Sequence, residues 1–314
     1  MKNALLALGV LLAAVQAWAQ APGVPVPRQG RQENEIEENL LDAGKRVFDA
    51  GVAIKLKAVK NQLKRTSCEL NLPPVKTSKL TVREVFTQAQ DSHWRIGWSY
   101  LCTKCDKWHV NLAGGYALTG DGVVATCFHV VQPDSTVRDG CLIAADEDGK
   151  VLAVTEVLAA NRYSDTCLVR VAGTDFKPLS LNTNVFPGDP AFCYSDPLDH
   201  HGYFSTGIVN RFYQFPGRYS VNSTPESAFA PTRLNVSTDW APGSSGSAVL
   251  DECGNVIGHV STIAAVGEEE VSAKTKTVVR GPTMIVFHEA VAARDVLLLI
   301  KPGKPIAPPP RGAE

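Results

Sequence analysis

Three absences narrow the reading of this 314-residue chain before any motif is considered. Neither sign of charge predominates: 31 Lys and Arg stand against 32 Asp and Glu, for a formal net charge of −1. Neither nucleic acid nor an anionic membrane is therefore indicated as a partner. No run beyond the first twenty residues is long and apolar enough to cross a bilayer, and no internal repeat is visible. Histidine does not follow the second cysteine of Cys102-Thr103-Lys104-Cys105, where Asp106 stands instead, which excludes haem attachment. The composition is otherwise that of an ordinary globular protein with a sizeable core.

What is present begins at the N-terminus. Lys2 is followed by the apolar stretch Ala4 to Val15 and by the small-x-small group Ala17-Trp18-Ala19. That order reads as a secretory signal peptide over 1–19, since the apolar run falls short of the roughly 20 residues of a spanning helix. No twin arginine precedes the run and no cysteine near the cut could accept a lipid. The mature chain is expected to be exported, periplasmic or secreted. In an oxidising compartment the eight cysteines are expected to form disulfides, although spacing cannot fix their connectivity.

After a Pro- and Gly-rich lead (21–31), acidic residues crowd Glu33 to Asp42 and basic ones Lys55 to Arg65. That order complements a helix dipole. Ile36, Leu40, Val47, Ala50, Ile54 and Ala58 recur at helical steps. One or two amphipathic helices are expected within an extension spanning 20–78, as a packing arm, an oligomer contact or a prosegment. Thr81 to Gln90 reads as a short helix. From Trp94 the texture turns to short strand-like runs punctuated by Gly, Pro, Asn and Asp. They are Arg95 to Leu101, Gly122 to Thr126, Cys141 to Ala144, Val151 to Ala159, Thr166 to Val171 and Ala191 to Tyr194. Such spacing suggests sandwiches or barrels. Phe287 to Ile300 reads as a C-terminal helix, and a proline-rich tail fills 301–314.

Three polar residues sit at the ends of apolar runs: His129 in Thr126-Cys127-Phe128-His129, Asp165 in Ser164-Asp165-Thr166-Cys167-Leu168, and Ser245 in Gly243-Ser244-Ser245-Gly246-Ser247. A serine hydroxyl needs an adjacent base to act as a nucleophile. Histidine suits that role, and a carboxylate would hold its tautomer. A glycine turn lets backbone N–H groups approach a developing oxyanion; Gly243 and Ser245 would supply them.

In order, these segments resemble the T-x-x-H, D-x-A-L and G-x-S-G-[GS] motifs of the trypsin-like, chymotrypsin-fold serine peptidases. The likeness is strongest to the bacterial branch of HtrA-type and glutamyl endopeptidases, and it covers roughly Leu80 to Ile300. Gly254-Asn255-Val256-Ile257-Gly258 and Val260-Ser261-Thr262 resemble the strand lining the family's cleft. The resemblance implies an all-β fold of two six-stranded antiparallel barrels, over about Trp94–Leu179 and Ser180–Val286, within a peptidase domain of 79–300. It implies that His129, Asp165 and Ser245 hydrolyse peptide bonds and that Ser261, Thr262 and Ile263 pair with an extended peptide. No cofactor is implied. Nucleic acid is not expected as a partner, and the oligomeric state is open.

Departures matter too. Ser244 stands where digestive enzymes carry the aspartate that pairs with a new N-terminus, so that activation switch is expected to be absent. Val130 replaces the cysteine that often follows the histidine. Only a short tail follows Ile300, so no PDZ-like extension is expected. Asp239, six residues before Ser245, falls where the trypsin branch has its specificity acid, whereas Ile263 would narrow the pocket entrance. His259 is one position from the histidine of glutamyl endopeptidases, which disfavours an acidic preference.

Cys102 and Cys105 read first as a structural disulfide; zinc is the alternative, with His109 and Cys68 as further ligands. Cys127 and Cys167 either bridge or pack as small buried residues, and Cys193 and Cys253 form a further candidate pair. The main functional rival is a latent or inactive peptidase-like protein that binds peptides without turnover. An esterase and a zinc-dependent module stand behind it.

Overall fold

The computed structural model describes residues 33–214, 231–271 and 278–303. The signal peptide, the Pro/Gly lead and the proline-rich tail from residue 304 on lie outside them. The chain opens with helix α1 (Glu33–Ala50) and helix α2 (Leu56–Gln62). A short strand β1 (Cys68–Leu70) and helix α3 (Val82–Ser92) follow. A capping box starts α3: Thr81 N–H donates to Glu84 Oε2 at 2.7 Å, and Glu84 N–H donates to Thr81 Oγ1.

Six strands then close an antiparallel barrel: β2 (His93–Cys102), β3 (Trp108–Ala117), β4 (Val123–Thr126), β5 (Val137–Ala145), β6 (Val151–Asn161) and β7 (Thr166–Val171). The one-turn helix α4 (Phe128–Val131) follows β4. The second barrel comprises β8 (Pro190–Ser195), β9 (Tyr203–Gln214), β10 (Thr232–Val236), β11 (Ala248–Leu250), β12 (Val256–Val271) and β13 (Val278–Ala292). Helix α5 (Ala293–Leu297) and β14 (Ile300–Pro302) end the described chain. The two-barrel, all-β expectation is met, and barrel two runs on to Ala292.

Each barrel has its own core, around Ile96, Leu142 and Val169 in the first and Leu234, Val249 and Val260 in the second. A further cluster joins them. It brings Tyr116, Leu118 and Leu168 of barrel one against Phe192, Leu250 and Val256 of barrel two, with Val85 of α3 and Leu299.

The helical arm is part of this fabric. Ile54 and Val59 lie inside the barrel-one core. Ile54 N–H donates to Val154 O at 2.8 Å, and Ile54 O accepts from Leu142 N–H at 3.1 Å. Strand β1 pairs in parallel with β14, joining the arm to the C-terminal segment. Of the three roles left open for the arm, packing is the one the contacts display.

Two expectations need correction. Phe287–Ala292 is strand, and the C-terminal helix is only Ala293–Leu297. The helix-like apolar spacing was overridden because this segment is hydrogen-bonded on both edges, to β10 and β12, so Ala290, Val291 and Ala292 are all buried. None of the eight cysteines is bridged in this structure, where the export reading expected disulfides. Cys127 Sγ donates instead to Val260 O, while Cys167 packs in the barrel-one core.

Leu299 is 1% exposed within the cluster that joins the barrels. Leu299→Ala should cost about 2–5 kcal/mol, read as a lower urea midpoint. A midpoint within experimental scatter of wild type would show that the C-terminal segment is not held by this contact.

Candidate active site

The three sequence-selected side chains meet between the barrels. Helix α4 carries His129, the tight turn between β6 and β7 carries Asp165, and the turn before β11 carries Ser245. His129 Nε2 lies 3.0 Å from Ser245 Oγ, and His129 Nδ1 lies 2.9 Å from Asp165 Oδ2. Nδ1 as donor to the carboxylate leaves Nε2 as acceptor for the serine hydroxyl.

Asp165 is over-determined. Its φ is 59°, in the left-handed region that costs a non-glycine residue about 1–3 kcal/mol. Its carboxylate also accepts from the His129 backbone N–H at 3.1 Å and from Ser261 Oγ at 2.7 Å. Its carbonyl oxygen lies 3.2 Å from His259 Nε2, which is placed to donate to it. Burial by itself would raise the carboxyl's pKa; the hydrogen bonds and charge of His129, with Ser261, outweigh it and hold it at about 2. Ser261 was expected to serve through its backbone; the role of its hydroxyl beneath Asp165 was missed. A polar residue within the buried part of a cleft strand was the available signal.

His259, set aside on specificity grounds, is fully buried on β12, with its ring near Tyr116. Burial pushes its pKa down to about 4, so at neutral pH it is an uncharged donor to the Asp165 backbone.

The glycines around Ser245 are conformational requirements. Gly243 has φ 101° and Gly246 φ 87°. A Cβ on Gly246 would overlap Gly114 O and Thr126 Oγ1 across the barrel interface. Among the described residues, neither the Gly243 nor the Ser245 N–H donates a hydrogen bond. Pro242 O, one residue before this pair, accepts from Leu198 N–H at 2.7 Å. A cavity of about 300 Å³ opens beside them, lined by Trp98, Tyr100, Asn111, His129, Gly243 and Ser245.

The cleft strand is open where a peptide would need it. β12 pairs with β11 only as far as His259, while β13 covers its other edge. Ser261 is buried, whereas Thr262 and Ile263 are exposed. Asp239 is exposed and lies near His288, so it is not the buried acid a Lys- or Arg-selecting pocket requires. Ser244 is buried in the serine turn, and its N–H donates to Ala241 O at 3.1 Å.

Residues 113–258, from β3 into β12, match the model of the trypsin-like peptidase domain. That segment is similar to such a domain. It is 28% identical to the serine protease PepD of Mycobacterium tuberculosis over 174 residues, 52% of this chain and 36% of PepD. It is 30% identical to HhoB of Synechocystis sp. over 156 residues, 48% of this chain and 34% of HhoB. The chain thus spans about a third of the length of these curated relatives. The HtrA-type protease AlgW, solved with a decapeptide, superposes with a TM-score of 0.51 at 13% identity, covering 70% of this chain and 66% of that one. At that identity the likeness is one of fold.

His259 generates a pH dependence of stability. An unfolded histidine has a pKa near 6.5, and the fold lowers it to about 4. The contribution is complete above about pH 6.5 and drains away as pH falls toward 4, by roughly 3 kcal/mol. His259→Gln keeps an N–H donor without titrating. Its urea midpoint should fall less than wild type's between pH 6.5 and 4, and equal slopes would assign the loss to other groups.

Proposed function

We propose that this chain is an exported serine endopeptidase in which Ser245 is the nucleophile, His129 the general base and Asp165 the carboxylate that orients it. The observation that carries the reading is the continuous chain from Ser245 Oγ through both ring nitrogens of His129 to Asp165, with spacings of 3.0 and 2.9 Å. Export rests on the leader over 1–19; among the described residues no helix is long and apolar enough to cross a membrane.

The chemistry follows from the geometry. Ser245 Oγ attacks the scissile carbonyl carbon as its proton passes to His129 Nε2. Asp165, ionised down to about pH 2, stabilises the imidazolium that forms. The carbonyl oxygen, now carrying negative charge, is received by the N–H groups of Gly243 and Ser245, each such donor being worth about 10²–10³ in rate. His129 returns the proton to the departing amine, leaving an acyl-serine, and a water activated by the same imidazole releases the acid. The open edge of β12 around Ser261–Ile263 suits an extended peptide added as a strand, so the substrate class is protein or peptide.

The test is labelling with a fluorophosphonate probe, beside hydrolysis of an unfolded protein. Wild type should label stoichiometrically, and Ser245→Ala should lose label and turnover, a fall of about six orders of magnitude in kcat. Asp165→Asn should keep the fold but lose about four orders. Folded wild type that neither labels nor cleaves would replace this reading with a peptide-binding protein. Turnover of simple esters alone would make it an esterase.

A further inference from the structure

The tip of the β2–β3 hairpin holds a cluster that the serine chemistry does not use. Cys102 ends β2, and His109 lies one residue into β3, paired opposite Tyr100. Residues opposite one another across an antiparallel pair share a face, as do residues two apart on one strand. Cys102 and His109 are therefore diagonal neighbours on one face of the hairpin. The connecting loop carries Cys105 back onto that face, helped by Asp106 at φ 57°. The sulfur atoms of Cys102 and Cys105 and a ring nitrogen of His109 all lie within 4.8 Å of one another. Cys105 Sγ and His109 Nε2 are 3.0 Å apart.

The geometry points to a zinc site formed by Cys102, Cys105 and His109, with water at the fourth position. Tetrahedral zinc at Zn–S ~2.3 Å and Zn–N ~2.0 Å needs ligand atoms roughly 3.5–3.8 Å apart, close to the spacing already present. Two thiolates and an imidazole select a soft or borderline ion such as zinc over magnesium or calcium. The turn is shaped for a thiolate as well. Lys104 N–H points at Cys102 Sγ at 3.4 Å. Zinc binding would displace the thiol protons to solvent, with no change of oxidation state. Cys105 is exposed, so the open position faces water. Cys68, the fourth ligand weighed from the sequence, lies on β1 outside this cluster.

The ion's place in the fold gives it a structural task. Thr103 N–H donates to Thr136 O at 2.8 Å, Thr103 Oγ1 donates to Ser135 O, and Arg138 pairs with Asp106. The hairpin tip is thereby fastened to the loop after α4, whose Gln132 and Asp134 line the cleft beside Ser245. Zinc would fix the tip and brace that wall, and would keep the two thiolates from oxidising to a disulfide.

None of this depends on the serine chemistry, and the test reads metal directly. The full chain, purified with reductant and stripped with a chelator, is titrated with zinc against a chromophoric competitor and separately with cobalt. One zinc per chain is expected, with thiolate-to-cobalt charge-transfer absorption in the cobalt form. Cys105→Ser and His109→Ala should each weaken binding roughly tenfold or more, with circular dichroism and the urea midpoint of the metal-free protein unchanged. The proposal is overturned by any of three results: no uptake by the reduced wild type, uptake unchanged in both the Cys105→Ser and His109→Ala variants, or a Cys102–Cys105 disulfide in protein isolated without reductant from zinc-replete cells.

Discussion

The site depends first on how Asp165 is gripped. It belongs to barrel one by sequence, yet both of its functional ends are held by β12 of barrel two: Ser261 donates to the carboxylate, and His259 is within hydrogen-bonding reach of the carbonyl. Without those contacts a left-handed aspartate in an exposed-side turn would relax, because its backbone conformation is costly. With them, the turn that closes barrel one takes its orientation from the other barrel. His129 follows through both its ring and its backbone N–H, and Ser245 follows through His129. Positional errors of an ångström cost orders of magnitude in such chemistry, so the barrels must meet in one arrangement.

Two further features enforce that arrangement. The first is close approach: a Cβ on Gly114 of barrel one would overlap Ser247, and one on Gly246 would overlap Gly114 O. The second is a buried ionic cluster. Arg95 on β2 donates through Nε to Asp196 at 2.6 Å, with His93 at 3.3 Å from the same oxygen, and Asp196 lies just past β8 in barrel two. Burial opposes the ionised Asp196, but His201 at 3.6 Å, the hydrogen bond with His93 and the charge of Arg95 hold its carboxyl well below the usual range. A buried pair of this kind adds little net stability over an apolar one, yet removing one partner costs about 3–5 kcal/mol. Its use here is directional. Asp196 begins the segment whose Leu198 N–H fixes Pro242, and a Cβ on Gly243 would lie 2.5 Å from Asp196 O. The charged cluster therefore sets the turn that presents the Gly243 and Ser245 amides.

The three candidate side chains were legible in the sequence because each sits beside a strand of its own, and alternating apolar runs mark strands locally. The barrel strands were legible for the same reason; Thr166–Val171 matches the reading residue for residue. What escaped was everything set by contacts distant in sequence. The Ser261 hydroxyl, the Arg95–Asp196 pair and the β1–β14 ladder each join residues separated by about a hundred positions or more. The C-terminal helix was over-read because a strand buried on both faces has no alternation to distinguish it. The disulfides were suggested by compartment, not geometry, and in this structure Cys127 and Cys167 each have another use as buried groups.

The arm changes what regulation of this site could look like. A detachable prosegment would rest on the surface, whereas Ile54 and Val59 are inside the barrel-one core and the Ile54 backbone is bonded to both β5 and β6. Withdrawing two such side chains would expose apolar surface worth roughly 3–6 kcal/mol, comparable to the whole stability of many domains. Release of the arm is thus a route to unfolding before it is a route to activity. Helix α1 comes near the site at a different place. Leu40 and Leu41 border a cavity of about 460 Å³ that also touches Arg95, Asp196 and Gly243. Helix α1 thus shares a cavity with the charged cluster behind the serine turn, while the arm's hold on the fold is through Ile54 and Val59 in barrel one.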